Sequence, residues 1–180
     1  EANYSEECAD SLRTFASESS IMNFAAHLNH PLFKTIGQIA DENGQPVFAI
    51  GGFVRDLIIS RPCKDIDIVV EGSGIELAKK ASEALGAGKV TVFKNFGTAM
   101  FRYRDWEVEF VGARKESYER GSRNPIVEDG TIEDDQLRRD FTINALALSL
   151  NKETFGNLVD PFGGLRDIED QRIRTPLDPN

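Results

Sequence analysis

The sequence of 180 residues is poor in the features of membrane proteins and metal clusters. It has no run of 18 apolar residues, so no membrane span is predicted. It does not open with a basic stretch followed by an apolar one, so no signal peptide is predicted. Its two cysteines, Cys8 and Cys63, are far apart and have no partners for a metal cluster. We therefore expect reduced thiols and a cytoplasmic protein.

Positive charge is also scarce. The chain has 21 Lys and Arg against 30 Asp and Glu, which gives a net charge of −9. This sign argues against a free-standing nucleic-acid binder, because neutralisation of phosphates by Lys and Arg dominates such binding. Either the protein does not hold nucleic acid, or its basic surface lies outside these residues. The length suits one domain with a substantial core.

Two common phosphate-binding motifs are absent. No Gly-x-x-x-x-Gly-Lys-Ser/Thr occurs, and no Gly-x-Gly-x-x-Gly follows the first predicted strand. The stretch from 47 to 70 instead reads as strand, double-glycine turn, short helix and second strand. Gly51 and Gly52 precede the helix, where backbone N–H groups can approach a phosphate.

The second strand of this stretch carries two carboxylates, Asp65 and Asp67. Residues i and i+2 of a strand share one face, so the two carboxylates lie side by side and repel each other unless a cation sits between them. Hard oxygen ligands of this kind suit Mg²⁺. A phosphate cradle beside a magnesium site is the resulting hypothesis.

The rest of the pattern predicts an α/β fold with a mixed sheet flanked by helices. His30 or Asn29 can cap a helix that begins near Pro31 and ends at Asn43-Gly44. We expect surface or capping roles for His27 and His30 rather than catalysis. Further predicted elements are a helix at 75–85 capped by Ser73 and strands at 89–93, 98–103 and 106–111.

The second half of the chain is harder to interpret. Residues 112–132 lack periodicity and are expected to form a long loop. Residues 133–150 are predicted to form one helix, because Ile143, Leu146, Ala147 and Leu150 share a helical face. A tight turn at 159–164, a short helix and a strand near 172–174 follow. A packed helix within residues 1–21 is an alternative to a dispensable extension.

Five blocks of the sequence together resemble a known family, the class II tRNA nucleotidyltransferases. The blocks are Gly51-Gly-Phe-Val-Arg-Asp56, Asp65-Ile-Asp67, Glu109-Phe-Val-Gly-Ala-Arg114, Arg138-Arg-Asp-Phe-Thr-Ile-Asn-Ala145 and Asp160-Pro-Phe-Gly-Gly-Leu165. That family comprises the CCA-adding enzymes and the bacterial poly(A) polymerases, within the polymerase-β-like superfamily. The resemblance runs from about residue 29 to the end and implies the catalytic head domain.

The resemblance implies two-metal catalysis. Asp65 and Asp67 would hold two Mg²⁺ ions about 3.5–4 Å apart, which activate the primer 3′-hydroxyl and stabilise the leaving pyrophosphate. Glu109 matches an acidic position of the family and is the candidate for a third carboxylate; a solvated strand residue is the alternative. CTP and ATP are the expected substrates, and the tRNA 3′ end is the expected acceptor.

The nucleotide-binding residues implied by the resemblance are Gly51, Gly52, Arg55, Arg114, Arg139, Asp140 and Asn144. Asp140 and Asn144 are four apart and would share one face of the predicted helix, suited to ribose hydroxyls and phosphate. Arg114 could touch substrate or brace the loop. For Asp56 we prefer an ion pair with Arg55 that fixes the turn.

The residues that select the base are not expected in this chain. The family uses a Glu/Asp-Asp-x-x-Arg template that follows the Asp-Pro-Phe-Gly-Gly turn and a strand. Asp134-Asp135-Gln136-Leu137-Arg138 fits the letters but lies before that turn, and Glu169-Asp170-Gln171-Arg172 has Ile173 in the arginine place. We therefore expect a fragment, with an extension at 1–28, the head at 29–154 and a connection beginning at 155–180.

Three functions follow from these patterns. The first is the head of a CCA-adding tRNA nucleotidyltransferase, and the second is the head of a bacterial poly(A) polymerase. The third is a nucleotide-binding module without transfer activity, against which the intact Asp65 and Asp67 argue.

Overall fold

The computed structural model describes residues 22–117 and 126–177. Its helices are α1 (Pro31–Glu42), α2 (Gly52–Ile58), α3 (Gly74–Leu85), α4 (Ile132–Leu137) and α5 (Gly164–Glu169). Its strands are β1 (Val47–Ile50), β2 (Asp65–Val70), β3 (Thr91–Phe93), β4 (Thr98–Tyr103), β5 (Trp106–Gly112), β6 (Arg114–Ser117), β7 (Ile126–Asp129), β8 (Ala147–Ser149) and β9 (Leu158–Val159). Short 3₁₀ turns occupy Ala25–Leu28, Lys94–Phe96, Thr142–Asn144 and Lys152–Thr154.

Seven strands form one mixed sheet in the order β3-β4-β5-β2-β1-β8-β9. Only the central β2–β5 pair is parallel, and each other neighbouring pair is antiparallel. The predicted α/β class with a mixed sheet is confirmed. The parallel pair brings the two acidic strands together at the middle of the sheet.

Alternation along the strands divides the sheet into a core face and a second face. Ile66, Ile68 and Val70 of β2 belong to the main core, together with Val108 and Phe110 of β5. Helices α1 and α3 cover this face and pack against each other. Each fully buried Leu, Ile, Val or Phe contributes about 1.5–3 kcal/mol to folding. Because successive side chains of a strand point to opposite faces, the odd-numbered residues of β2 and β5 lie on the other face, called here the second face.

A smaller apolar cluster covers part of the second face. Ile132 of α4 packs there with Phe48 and Ile50 of β1 and with Val69. Asp67 and Glu109 lie beside this cluster, because Ile50 pairs with Asp67 across the sheet. The side chains of Asp67 and Glu109 thus lie at the edge of the apolar cluster on the second face.

The boundaries of α1 and α3 follow from capping residues that the sequence predicts, and α4 has a capping box that it does not. The His30 side chain accepts a hydrogen bond from Leu32 N, and Pro31 occupies the first position of α1. Ser73 caps α3, which ends at the left-handed Gly86. Thr131 and Asp134 form a reciprocal capping box at the start of α4.

The predicted helix at 133–150 is wrong. Helix α4 ends at Leu137, a 3₁₀ turn follows, and β8 pairs antiparallel with β1. Leu146, Leu148 and Leu150 are all buried in the main core, which is the period-two pattern of a strand. Pairing with β1 therefore outweighs the helical propensity of the Leu- and Ala-rich stretch.

Two other predictions for the second half are also corrected. The expected loop at 112–132 contains the antiparallel hairpin β6–β7, whose short strands carry no strong apolar alternation. Residues 172–174 do not form a strand; instead Arg174 O accepts a single backbone hydrogen bond from Thr142 N at 2.9 Å. The tight turn before α5 and the short helix itself are confirmed.

The N-terminal segment is described only from Met22 onward, so the alternatives for residues 1–21 lie outside the described residues. Leu28 is fully buried in the main core, and Asn23 bridges to Asn157. Domain boundaries at 28 and 154 stay predictions. In the part of the chain that is described, no helix has the length and apolar character needed to cross a membrane.

Candidate active site

The site is built on the central parallel pair of strands. In its register Asp67 of β2 lies opposite Glu109 of β5, and Asp65 lies opposite Glu107. Paired residues of neighbouring strands project from the same face, so all four carboxylates share the second face. Asp65 and Glu109 are exposed, whereas Asp67 is half-buried.

A cavity of about 560 Å³ opens over this pair. Four of the expected site residues line it, namely Asp67, Glu109, Arg114 and Arg139. The rest of its lining is formed by Phe93, Phe96, Thr98, Met100, Val111 and Arg138. The structure thus brings carboxylates and guanidinium groups together in one cavity. Asp65 lies on the same face but is not part of the lining.

The carboxylates of Asp67 and Glu109, called here the acidic pair, repel each other in the absence of a cation. Burial raises the pKa of Asp67 above its usual value, and the charges of Glu109 and Asp65 raise it further. The Arg139 guanidinium opposes this shift of the Asp67 pKa without cancelling it. A cation held between the carboxylates would remove the repulsion.

The donor set fits Mg²⁺ as part of a larger complex rather than as a closed cage. Among residues 22–117 and 126–177, no three His, Cys, Asp or Glu side chains are grouped to hold a metal ion. Mg²⁺ is usually bound by one or two carboxylates together with substrate phosphates and water. The hard oxygens of Asp65, Asp67 and Glu109 match that chemistry, and an incomplete protein ligand set is consistent with it.

The glycine turn at the start of α2 lies against the acidic pair. Gly51 has φ +79°, a conformation that side chains rarely adopt. A Cβ placed there would stand 2.9 Å from Arg139 Nη1 and 3.3 Å from Asp67 Oδ2. The Gly51 N–H is already donated to Leu146 O, whereas Gly52 is the first residue of α2. Gly51 therefore acts through its shape, and Gly52 stands where helix N–H groups lack helical partners.

Arg55 links α2 to the turn at 142–144. It forms an ion pair with Asp56 at 2.9 Å, which confirms the interpretation preferred for Asp56. Its Nη1 donates to Asn144 Oδ1 at 2.8 Å. Asn144 in turn donates to Asp140 Oδ1 at 3.3 Å. Asp140 and Asn144 are thus close together, but residues 142–144 form a 3₁₀ turn and not the predicted helix.

Arg114 reaches the site from the start of the β6–β7 hairpin. Besides lining the cavity, its Nη2 lies 2.8 Å from the point where a Cβ on Gly97 would stand. Gly97 follows the Lys94–Phe96 turn and has φ +62°. Arg114 therefore both faces the cavity and contacts the neighbouring turn, so the two roles considered for it are compatible.

Nothing in the sequence assigns Asp135, Phe93 or Phe96 to the site, and Asp135 enters only as part of the rejected template pattern. Asp135 is fully buried and binds both Arg138 and Arg139. Spacings of three and four from these arginines are the signal of helical ion pairs and could have revealed this contact. Phe93 and Phe96 are 41% and 66% exposed at the cavity, which their apolar type does not predict.

A larger cavity of about 830 Å³ lies toward β8 and β9, away from the acidic pair. Phe48, Ser149 and Val159 line it, with Asp41, Lys152 and Glu153 at its charged side. It contains none of the expected site residues. Size alone therefore does not identify the site, and the smaller cavity carries the reactive groups.

Comparison with known sequences shows a strong likeness across this region. The family model of the poly(A) polymerase head domain matches residues 47–174. An A-adding tRNA nucleotidyltransferase of Aquifex aeolicus is 46% identical over 127 residues, which are 71% of this chain and 15% of that protein. The A-adding enzyme of Geobacter sulfurreducens is 41% identical over 152 residues, 82% of this chain and 17% of its own length.

A CC-adding tRNA nucleotidyltransferase of Deinococcus radiodurans is 40% identical over 130 residues, covering 69% of this chain and 33% of that protein. Among solved structures, an apo CCA-adding enzyme aligns with TM-score 0.74 at 41% identity, over 82% of this chain and 35% of its own. A tRNA nucleotidyltransferase complexed with a primer tRNA and an incoming ATP analogue gives TM-score 0.69 at 42% identity, over 79% and 39%. The chain spans well under half the length of each of these proteins.

Proposed function

Because the chain belongs to the poly(A) polymerase head-domain family, we propose that it is the catalytic head of a tRNA nucleotidyltransferase. In this proposal the full-length protein transfers CMP or AMP from CTP or ATP to a tRNA 3′ end and releases pyrophosphate. Matches to A-adding and CC-adding relatives support this substrate class.

The observation that carries the proposal is the pairing of Asp67 with Glu109 inside a cavity that also holds Arg114 and Arg139. Carboxylates are poor partners for phosphates unless a divalent cation stands between them. Guanidinium groups, by contrast, bind phosphate oxygens directly. A cavity that combines both suits a nucleoside triphosphate bound with its metal.

Asp65, Asp67 and Glu109 would hold Mg²⁺ in this proposal. Mg²⁺ bound there supplies Lewis-acid activation of the primer hydroxyl and neutralises the charge of the phosphates. In-line attack of the 3′-hydroxyl oxygen on the α-phosphorus forms the new phosphodiester bond, and the bond to the β-phosphate oxygen breaks. The hydroxyl proton leaves to solvent or to a neighbouring carboxylate.

The remaining proposed site residues bind and orient the nucleotide. Arg114 and Arg139 face the cavity and would contact the triphosphate. Arg55 orients Asn144, which with Asp140 would meet the ribose hydroxyls. Gly51 leaves room beside Asp67, and Gly52 offers the first backbone N–H of α2.

Base selection is proposed to lie outside this chain. Relatives named A-adding, CC-adding and CCA-adding match this chain at 36–46% identity, over 69–86% of its length. That related heads occur in enzymes with different products supports placing the choice between CTP and ATP elsewhere in the full-length protein. The head of a poly(A) polymerase is the second candidate, favoured by the description of the matching family.

The metal assignment is tested by Asp65→Asn combined with Asp67→Asn in the full-length protein. We expect loss of nucleotide transfer to tRNA lacking its CCA end, and loss of the rise in Tm that Mg²⁺ causes in the unaltered protein. Asp105→Asn, which changes an exposed carboxylate in the turn between β4 and β5, is the matched control. Retained transfer in the double variant would refute the metal assignment.

The same assay separates the candidate functions. Ordered addition of C and A to truncated tRNA supports CCA addition, and addition of A alone to a tRNA ending in CC supports an A-adding enzyme. Long A tracts on RNA would support the poly(A) polymerase. An unaltered full-length protein without any transfer would support the inactive nucleotide-binding module.

A further inference from the structure

The carboxylate of Asp135 on α4 is completely buried although it is charged. Its Oδ1 accepts hydrogen bonds from Arg138 Nε and Nη2 at 3.1 and 2.8 Å. Its Oδ2 accepts from Arg139 Nε and Nη2 at 3.2 and 3.1 Å. One carboxylate thus binds two consecutive arginines, each through the same edge of the guanidinium.

This geometry leaves the other edge of Arg139 directed at the site. Arg139 Nη1 takes no part in the bonds to Asp135 and lies near Gly51 and Asp67. Its side chain is only 19% exposed, so the guanidinium sits within the cavity wall rather than in bulk water. Asp135 therefore fixes which nitrogen of Arg139 faces the acidic pair.

Arginine side chains lose substantial rotamer freedom when they are held in one orientation. A guanidinium oriented before the substrate binds avoids that loss at the binding step. Burying a carboxylate is unfavourable unless charged partners satisfy it, and both oxygens of Asp135 are satisfied here. The buried carboxylate of Asp135 thus holds the guanidinium groups of Arg138 and Arg139 in fixed orientations at the cavity.

The same contacts explain why the sequence pattern Asp134-Asp135-x-x-Arg138 is no base-reading template. Asp135 and Arg138 are bonded to each other at 2.8 Å, and Asp135 is inaccessible to any ligand. The carboxylate edge of Asp135 is therefore not available to a nucleobase. The pattern instead records a helical ion pair between positions i and i+3.

We propose that Asp135 is a positioning residue that holds Arg139, and with it Arg138, in the orientation that binds the substrate triphosphate. This inference rests on the proposed function, since it assigns the ligand of the two arginines. Asp135 itself touches no substrate. Because ATP and CTP carry the same triphosphate, replacing Asp135 should change the KM for both by the same factor.

The test compares Asp135→Asn with Glu133→Gln in the full-length protein. Glu133 is an exposed acid of the same helix, so the control removes the same charge without breaking the arginine fork. We expect Asp135→Asn to raise KM for ATP and for CTP by the same factor, about tenfold to a hundredfold. Glu133→Gln should leave KM unchanged. Asp135→Glu, which keeps the charge, should restore KM in part.

Lost stability is separated from lost positioning by a remote variant. Ile36→Val in the main core lowers Tm without touching the cavity. If Asp135→Asn lowers Tm but leaves both KM values like those of Ile36→Val, Asp135 is only structural and the proposal fails. If Asp135→Asn does not fold, Arg139→Lys is measured instead. A lysine ammonium lacks the planar guanidinium geometry that lets Arg139 bind Asp135 through one edge and a phosphate through the other. An unchanged KM in that variant would equally overturn the proposal.

Failure of the proposed function gives a different result. If the unaltered protein transfers no nucleotide, binding of tripolyphosphate with Mg²⁺ is measured by calorimetry instead. Weaker binding in Asp135→Asn than in Glu133→Gln then supports the positioning role without the transfer activity. Equal binding in the two variants refutes it.

Discussion

Asp67 is a side chain whose surroundings favour its neutral form. Its pKa is raised, first by burial and then by Glu109 and Asp65, so ionisation at neutral pH costs folding free energy. Sites that bind a cation often carry such a cost, because the charges are arranged for the ligand rather than for the empty protein. The metal-binding role proposed for Asp67 and the stability of the fold therefore make opposite demands on its ionisation.

Asp67→Asn should accordingly raise Tm at neutral pH in buffer free of divalent cations. A folded-state pKa above the ordinary aspartate value of about 3.9 means that stability falls as the pH rises between the two values. The gap in Tm between the variant and the unaltered protein should therefore close below about pH 4 and be full at neutral pH. Thermal melts across this range check it; a variant less stable at neutral pH would contradict it.

Gly51 has a backbone conformation and a close packing that a residue with a side chain would not fit. Gly51→Ala should lower stability by about 1–3 kcal/mol, because φ is +79°, and should also abolish nucleotide transfer by displacing Arg139 or Asp67. Gly44→Ala is the matched control, since φ is +64° there and a Cβ meets nothing within 4 Å. Denaturation and transfer assays on both variants should show strain in each but lost transfer only in Gly51→Ala.

Side chains of the site could be predicted from the sequence where a local pattern encodes them. Asp65 and Asp67 are two apart on a strand, and that spacing alone places them on one face. The partnership of Asp67 with Glu109 depends on the register of β2 against β5, which no local pattern encodes. The burial of Asp135 depends on where α4 packs, which the local sequence does not encode.

Helices and strands with clear end signals were predicted closely, and those without were not. His30, Ser73 and Gly86 mark the ends of α1 and α3. Strand β8 has only three residues, and its hydrogen bonds come from β1, about a hundred positions earlier. Helical and strand spacings of Leu and Ala overlap over so short a run. Long-range pairing therefore decided an element that local propensity assigned to a helix.

Helix α5 is attached to the turn at 142–144 through one buried carboxylate. Asp167 accepts hydrogen bonds from Thr142 Oγ1 at 2.6 Å and from Arg174 Nε at 2.9 Å. Hydrogen bonding from Arg174 lowers the pKa of Asp167 below its usual value, and Thr142 contributes in the same direction. This carboxylate thus connects the C-terminal segment to the turn that carries Asn144.

Asp167→Asn should lower the free energy of unfolding by about 1.5–3 kcal/mol at neutral pH. A depressed folded-state pKa gives stability that is present above the ordinary value of about 3.9 and is lost as the pH falls through the folded-state value. The deficit of the variant should thus shrink in acid, whereas for Asp67→Asn it is a gain in stability that shrinks there. Urea denaturation at several pH values measures it, and Asp170→Asn, an exposed residue of the same helix end, is the control.

Taken as a whole, the molecule is acidic, and base selection is proposed to lie outside this chain. With a net charge of −9, the chain should hold tRNA poorly on its own, because phosphates are bound chiefly by Lys and Arg. In the proposed function the cavity groups bind phosphate and ribose, which all ribonucleoside triphosphates share.

Titration of the 180-residue chain with ATP, CTP, GTP and UTP in Mg²⁺ should therefore give weak and nearly equal affinities. The chain alone should not complete CCA ends on tRNA. Calorimetry and a primer-extension assay check the two statements. A clear preference for one base would contradict the assignment of base selection to another part of the protein.

Because the two faces of β2 have different surroundings, substitutions at neighbouring positions of this strand should have different effects. Ile66, Ile68 and Val70 are buried in the core, whereas Asp65 and Asp67 point to the opposite side. In saturation mutagenesis of the full-length gene, substitutions at the three apolar positions should reduce protein abundance. Those at the two aspartates should reduce growth while abundance stays normal. Buried core positions and the proposed catalytic positions thus alternate along residues 65–68 of one strand, so substitutions at them should have separable effects.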